Sequence, residues 1–112
     1  MILKATPYSD YLLVEVLLKE ANLVEADRFK NELINLIDQG NKALVVSFEK
    51  VDYIDSSFLG ALVSALKYAM SLKADIAVAK LNKDIYNLFH LIRMDKVFKV
   101  YNSLPEKFYV GE

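Results

Sequence analysis

A chain of 112 residues with 14 basic and 15 acidic side chains, one histidine and no cysteine has the length of one domain and can bury a core without cross-links, so a single domain is expected over residues 1–112. The near-neutral balance supplies no field that would gather nucleic acid or an anionic bilayer. Zero cysteines exclude disulfides, thiolate metal sites and cysteine nucleophiles, and fit a reducing cytoplasm.

The opening Met1 to Thr6 reads as a short edge strand, turned by Pro7 and the polar Ser9-Asp10 into a second strand, Tyr11 to Leu18, the two pairing as a hairpin. Asn22 and Glu25 stand three apart, like a helix N-cap and its reciprocating carboxylate, ahead of Ala26, Phe29, Leu33 and Leu36 at helical spacing. Gly40 supplies a left-handed stop. The nearly continuous apolar run Ala43 to Phe48 predicts a central strand covered on both faces. From Ser57 to Lys73, Leu59, Leu62, Val63, Leu66, Ala69 and Met70 recur at three and four and form one stripe of a second helix packed on the sheet. Gly60, Ala61, Ser64 and Ala65 lie on or beside that stripe and would admit close approach to the strands, with Gly60 costing about 1 kcal/mol of helix propensity relative to Ala. Its apolar stretch Phe58 to Ala69 is interrupted by Gly60, Ser64 and Lys67, short of the roughly 18 to 20 residues that span a bilayer, and no secretory leader is visible at the N-terminus. Ile76 to Ala79 predicts another buried strand, Ile85, Leu88, Phe89 and Ile92 a third helix, and Val97 to Tyr101 a last strand. Ser103 and Glu106 repeat the capping spacing around Pro105 and predict a short terminal helix. This alternation implies a mostly parallel sheet with helical crossovers and an antiparallel hairpin at its start.

Chemistry-bearing residues concentrate at one junction. Asp55-Ser56-Ser57-Phe58-Leu59-Gly60 follows the central strand and opens the second helix, which sets two hydroxyls where backbone N–H groups are unpaired and the helix dipole is positive. The plain alternative is a serine acting as an ordinary N-cap. His90, the sole histidine, sits between Phe89 and Leu91 without a visible acid or nucleophile partner and is assigned to packing or surface. Asp52 and Asp55 suit turn and capping roles better than a metal site, because no further ligand lies nearby in sequence. Three glycines, at 40, 60 and 111, make no phosphate loop. No catalytic residue, metal or cofactor is therefore expected.

The run Val45 to Leu62, with Asp55-Ser56-Ser57 at its helix start, resembles the signature of STAS domains, the fold of bacterial anti-sigma factor antagonists. Glu20 to Ala26 and Phe89 to Tyr101 are similar to that family's first-helix entry and its closing helix-to-strand segment. The resemblance implies an α/β, STAS-type single domain: a mixed, mostly parallel sheet of about five strands with helices packed mainly on one face. It also implies a non-enzymatic, cytoplasmic partner-switching protein that binds an anti-sigma factor with serine kinase activity and is released when phosphorylated. By position the phosphoacceptor is Ser56, and the implied partner-binding residues are Asn22, Asp55, Ser56, Ser57, Phe58 and Gly60.

Three positions depart from the family pattern. Phe58 stands where the family has glycine, and is either an exposed partner anchor or kinase obstruction, or an inward core residue. Asn22 replaces an aspartate, keeping a cap and removing a charge. Arg93 replaces a glycine. The competing functions are a STAS scaffold that is never phosphorylated and an accessory module for a lipid or small-ligand system.

Overall fold

The computed structural model describes residues 2–8 and 10–108. In chain order these form strands β1 (Leu3–Pro7), β2 (Leu12–Val16) and β3 (Glu20–Ala21), helix α1 (Leu23–Asp38), strands β4 (Ala43–Ser47) and β5 (Tyr53–Ile54), helix α2 (Ser56–Ser71), strand β6 (Asp75–Ala79), helix α3 (Lys83–Leu91) and strand β7 (Lys99–Tyr101). A single 3-10 turn, Met94–Lys96, precedes β7. The main sheet has the order β1-β2-β4-β6-β7, antiparallel only between β1 and β2. This is the expected α/β architecture, with Ala43 to Ser47 in the centre and all five of its residues buried.

Alternation along the strands builds two different faces. Val14, Val46 and Val78 lie in register across β2, β4 and β6, as do Leu12, Leu44 and Ile76. All six pack in one core with Phe29, Leu33 and Ile37 of α1, Leu59, Leu62 and Leu66 of α2, and Ile85 and Phe89 of α3. The intervening residues, Leu13, Val45 and Ala77, form a smaller cluster on the opposite face with Tyr11, Ala43, Ala79 and Phe108. Helices thus cover one face, and the C-terminal segment covers the other.

The boundaries follow local chemistry. Asn22 caps α1, its side-chain oxygen accepting from the Val24 N–H at 3.1 Å, while Glu25 turns to Arg28 at 4.0 Å instead of reaching back to the cap. Gly40 ends that helix at φ 100°, its N–H donating to the Ile37 carbonyl at 3.0 Å. The stripe of α2 is buried at Leu59, Leu62, Leu66 and Ala69, with Ala61 and Ala65 filling the close approach. Gly60 has no such role: it is exposed, and a Cβ built there meets nothing within 4 Å. Ile92 falls outside α3 as its exposed C-cap.

The expected terminal helix is absent through residue 108; positions 109–112, like Met1 and Ser9 of the first strand and turn, lie outside the described residues. The segment that leaves β7 stays irregular because its contacts are with the sheet. The Tyr11 hydroxyl donates to the Pro105 carbonyl at 2.8 Å, Phe108 is buried, and the Lys99 ammonium stands 4.8 Å from the Phe108 ring centroid. A helix over Ser103 to Glu106 would shorten the span those contacts require.

Candidate functional site at the paired helix starts

Two very short strands create the site. β3 and β5 pair in parallel, Glu20 with Tyr53 and Ala21 with Ile54, and each runs straight into the N-cap of a long helix, Asn22 for α1 and Asp55 for α2. The ladder is extended on either side by the Lys19 carbonyl, which accepts from Asp52 and Tyr53 N–H at 2.8 and 3.2 Å, and by the Asp55 N–H, which donates to the Ala21 carbonyl at 3.0 Å. The two helix starts are thereby held side by side.

Asp55, and neither serine, is the cap of α2. One carboxylate oxygen, Oδ1, accepts from the Phe58 N–H at 2.9 Å; the other, Oδ2, accepts from the Leu23 N–H at 2.8 Å, at the first position of α1. The capping role expected of Asp55 is thus what the structure shows, and the plain alternative of a serine as the cap is set aside. An aspartate at this position offers two oxygens on a longer side chain, one for each element, where a serine has one oxygen to share. Ser56 and Ser57 occupy the first two positions of the helix, Ser56 exposed and Ser57 half-buried. Their hydroxyls are released from capping, and their N–H groups belong to the first turn, which has no acceptor inside its own helix. No acidic side chain lies in that turn, so the positive end of the helix dipole is offset only by Asp55.

Of the other expected site residues, Gly60 is exposed one turn beyond Ser56, and Asn22 is half-buried at the adjoining cap. Phe58 is not on this surface. Its side chain is fully buried, stacked on Phe29, so the inward reading holds and the exposed-anchor reading is set aside: one residue past the two serines, the helix already faces the core.

The surface holds residues that periodicity did not single out. Leu23 and Val24 are 69% and 83% exposed in the first turn of α1, and Tyr53 is 56% exposed on β5. They flank the two caps, Tyr53 two residues before Asp55 and Leu23 tied to Asp55 through its N–H, and make the exposed apolar rim of the junction. For Val24 the signal was in the sequence, since it falls on the face of α1 opposite the buried stripe; Leu23 stands three before Ala26, at a spacing the stripe shares, and its exposure was not legible. Asn82 is the other missed residue. Its oxygen caps α3 through the Ile85 N–H at 2.8 Å, and its amide nitrogen donates to the Val51 and Asp52 carbonyls at 3.2 Å each. It fastens the third helix start to the loop that delivers Asp55.

His90 lies elsewhere, exposed near the end of α3, with Nδ1 2.8 Å from Asp95 Oδ2. Among the described residues no three His, Asp or Glu side chains are grouped to hold a metal, and no helix is long and apolar enough to cross a membrane. What the junction offers is an exposed hydroxyl on a rigid helix start, bordered by apolar side chains.

The STAS domain family profile matches residues 15–107. The chain belongs to the STAS domain family. A candidate anti-sigma factor antagonist of Thermotoga maritima is 27% identical over 89 residues, covering 79% of each chain. Among solved structures, this STAS domain is similar to an anti-sigma-factor antagonist (STAS) domain protein from Planctomyces limnophilus, with a TM-score of 0.80 at 15% identity over 91% of each chain. It is also similar to the Bacillus cell fate determinant SpoIIAA in its phosphorylated form, with a TM-score of 0.66 at 11% identity over 88% of this chain and 89% of that one.

Proposed function

We propose that this STAS domain is an anti-sigma factor antagonist that acts by partner switching. Unphosphorylated, it docks the helix-start surface onto an anti-sigma factor with serine kinase activity; phosphorylation of Ser56 by that partner releases it. The observation that carries the reading is the exposed Ser56 hydroxyl at the first position of α2, relieved of capping by Asp55. The names of the relatives, and the likeness to a protein solved in its phosphorylated form, point the same way.

The physical account is electrostatic. A phosphoserine adds about −1.5 to −2 charges and three acceptor oxygens. The helix start tolerates them, so the fold persists. The docking surface does not, because a dianion beside Leu23, Val24 and Tyr53 must be dehydrated to bring an apolar rim into contact. An uncompensated buried charge opposes association by several kcal/mol, and each ~1.4 kcal/mol is tenfold in affinity. Asn22 and Asp55 shape this surface through the two caps, and the protein serves as the kinase's substrate without being itself a catalyst.

The test is intact mass after incubation with ATP and the anti-sigma kinase encoded nearest to it. One added phosphate is expected, absent in Ser56→Ala, with loss of partner binding in the phosphorylated form. A protein that binds its partner equally well with and without modification at Ser56, or that no such kinase modifies, is a scaffold, the reading that the neutral Asn22 favours.

A further inference from the structure

The carboxylate of Asp55 divides its two oxygens between two helices. Oδ1 makes the local cap to Phe58, three residues on, and Oδ2 reaches across 32 positions to the Leu23 N–H, at 2.9 and 2.8 Å respectively. Leu23 opens the turn that carries the exposed apolar rim, and Ser56 is the residue next to Asp55 in the chain.

We infer that Asp55 is a positioning residue that couples the acceptor serine to the apolar rim: it holds the first turn of α1 in the docking arrangement, and a phosphate on Ser56 loosens that hold. The inference rests on the reading of Ser56 as the phosphoacceptor. A phosphoryl dianion one residue from a carboxylate repels it and competes with it for the same first-turn N–H groups. The two bonds of Asp55 differ in how they withstand this. The Phe58 bond is kept short by the helix to which both residues belong. The Leu23 bond joins two elements that the β3–β5 ladder, the Asp55 N–H to Ala21 carbonyl bond and the Phe29–Phe58 stack hold side by side, but no bond within a single helix fixes its length. It is therefore the one that lengthens. Asn22 still accepts from Val24, but the Leu23 N–H is left to solvent and the rim loses a fixed orientation. Phosphorylation then acts on a partner twice, by charge at Ser56 and by loosening the neighbouring apolar contact.

The test is backbone amide hydrogen exchange by NMR on the free, full-length protein, with phosphoserine installed at position 56 by genetic encoding. Exchange at Leu23 is expected to quicken about tenfold, the scale of one lost charge-assisted hydrogen bond, while Phe58 and Leu62 amides keep their wild-type rates. Asp55→Ser retains a side chain that caps α2 but has a single acceptor oxygen. It is expected to quicken Leu23 exchange to the same extent without phosphate, and phosphoserine should add nothing further in that background. Leu23 exchange within twofold of wild type in the phosphoserine protein overturns the inference, as does a common acceleration of Leu23, Phe58 and Leu62, which would mark a global loss of stability. The phosphoserine comparison stands alone if Asp55→Ser does not fold. Neither kinase nor anti-sigma factor enters these measurements, so failure of the tie and failure of the switch are seen separately.

Discussion

Phe58 lies flat against Phe29, ring centroids 4.1 Å apart and planes inclined by 18°, with both side chains fully buried. The pair fastens the first turns of α2 to α1 directly beneath the exposed Ser56. An aromatic two residues past Ser56 thus supports the site from inside. Phe58→Ala is expected to cost about 3–5 kcal/mol, with Phe58→Leu costing clearly less because it refills most of the volume. Denaturant titration checks this, and a loss below about 1 kcal/mol for the alanine variant would mean that the stack is not tightly packed.

Gly60 behaves oppositely. It lies in the exposed face of α2 with free space where a Cβ would stand, so nothing in the fold needs its lack of a side chain. Gly60→Ala is expected to stabilise the domain by roughly 0.5–1 kcal/mol through helix propensity and unfolded-state entropy. Thermal unfolding should show a midpoint higher by about 3–6 °C. An unchanged or lowered midpoint would contradict the placement of this glycine on a free surface.

The fold was legible wherever a periodic run was long enough to have a phase. Ala43 to Phe48 announced a central strand, which ends at Ser47; Asn22 announced a cap, though without the reciprocating Glu25; and Gly40 announced a stop. β3 and β5, two residues each, are too short to carry any period, yet they are what bring the two helix starts together. The second bond of Asp55 is a contact between distant positions, to which local spacing is blind. At the C-terminus, a capping pattern in Ser103 to Glu106 yielded to a tertiary demand, the need of Phe108 to reach the uncovered sheet face. Arg93, noted as standing where the family has glycine, adopts φ 63°, the left-handed backbone that glycine enters most easily. Its anomaly in sequence has a conformational basis.

The His90–Asp95 pair gives a pH signature. The hydrogen bond from His90 holds the Asp95 carboxyl below its ordinary range. A carboxyl depressed in the folded state contributes stability that is fully present above its unfolded pKa, about 3.9, and lost as pH falls through the folded value. The carbon-13 titration of Asp95 is expected to have its midpoint below that of a free aspartate and to move up in His90→Ala. The stability difference between wild type and His90→Ala should shrink as pH is lowered from about 5 toward 2. A midpoint that does not move would show that the pair does not persist in solution.

The rim beside Ser56 predicts a separation of binding from folding. Val24 is 83% exposed in the first turn of α1, so Val24→Glu removes little packing and places a carboxylate at a favourable helix end; stability should change by no more than about 0.5 kcal/mol. A glutamate there must be dehydrated by any partner that covers the rim, as the phosphate on Ser56 would be. Affinity for the anti-sigma factor is expected to fall at least about tenfold, the range of a moderate hot spot. Val97 is also exposed, at 48%, but it precedes β7 at the opposite end of the parallel strands. Val97→Glu therefore serves as the matched control and should leave affinity unchanged. Titration calorimetry of both variants against the partner decides the point: equal losses would move the docking surface away from the helix starts, and loss in Val24→Glu alone would place it there.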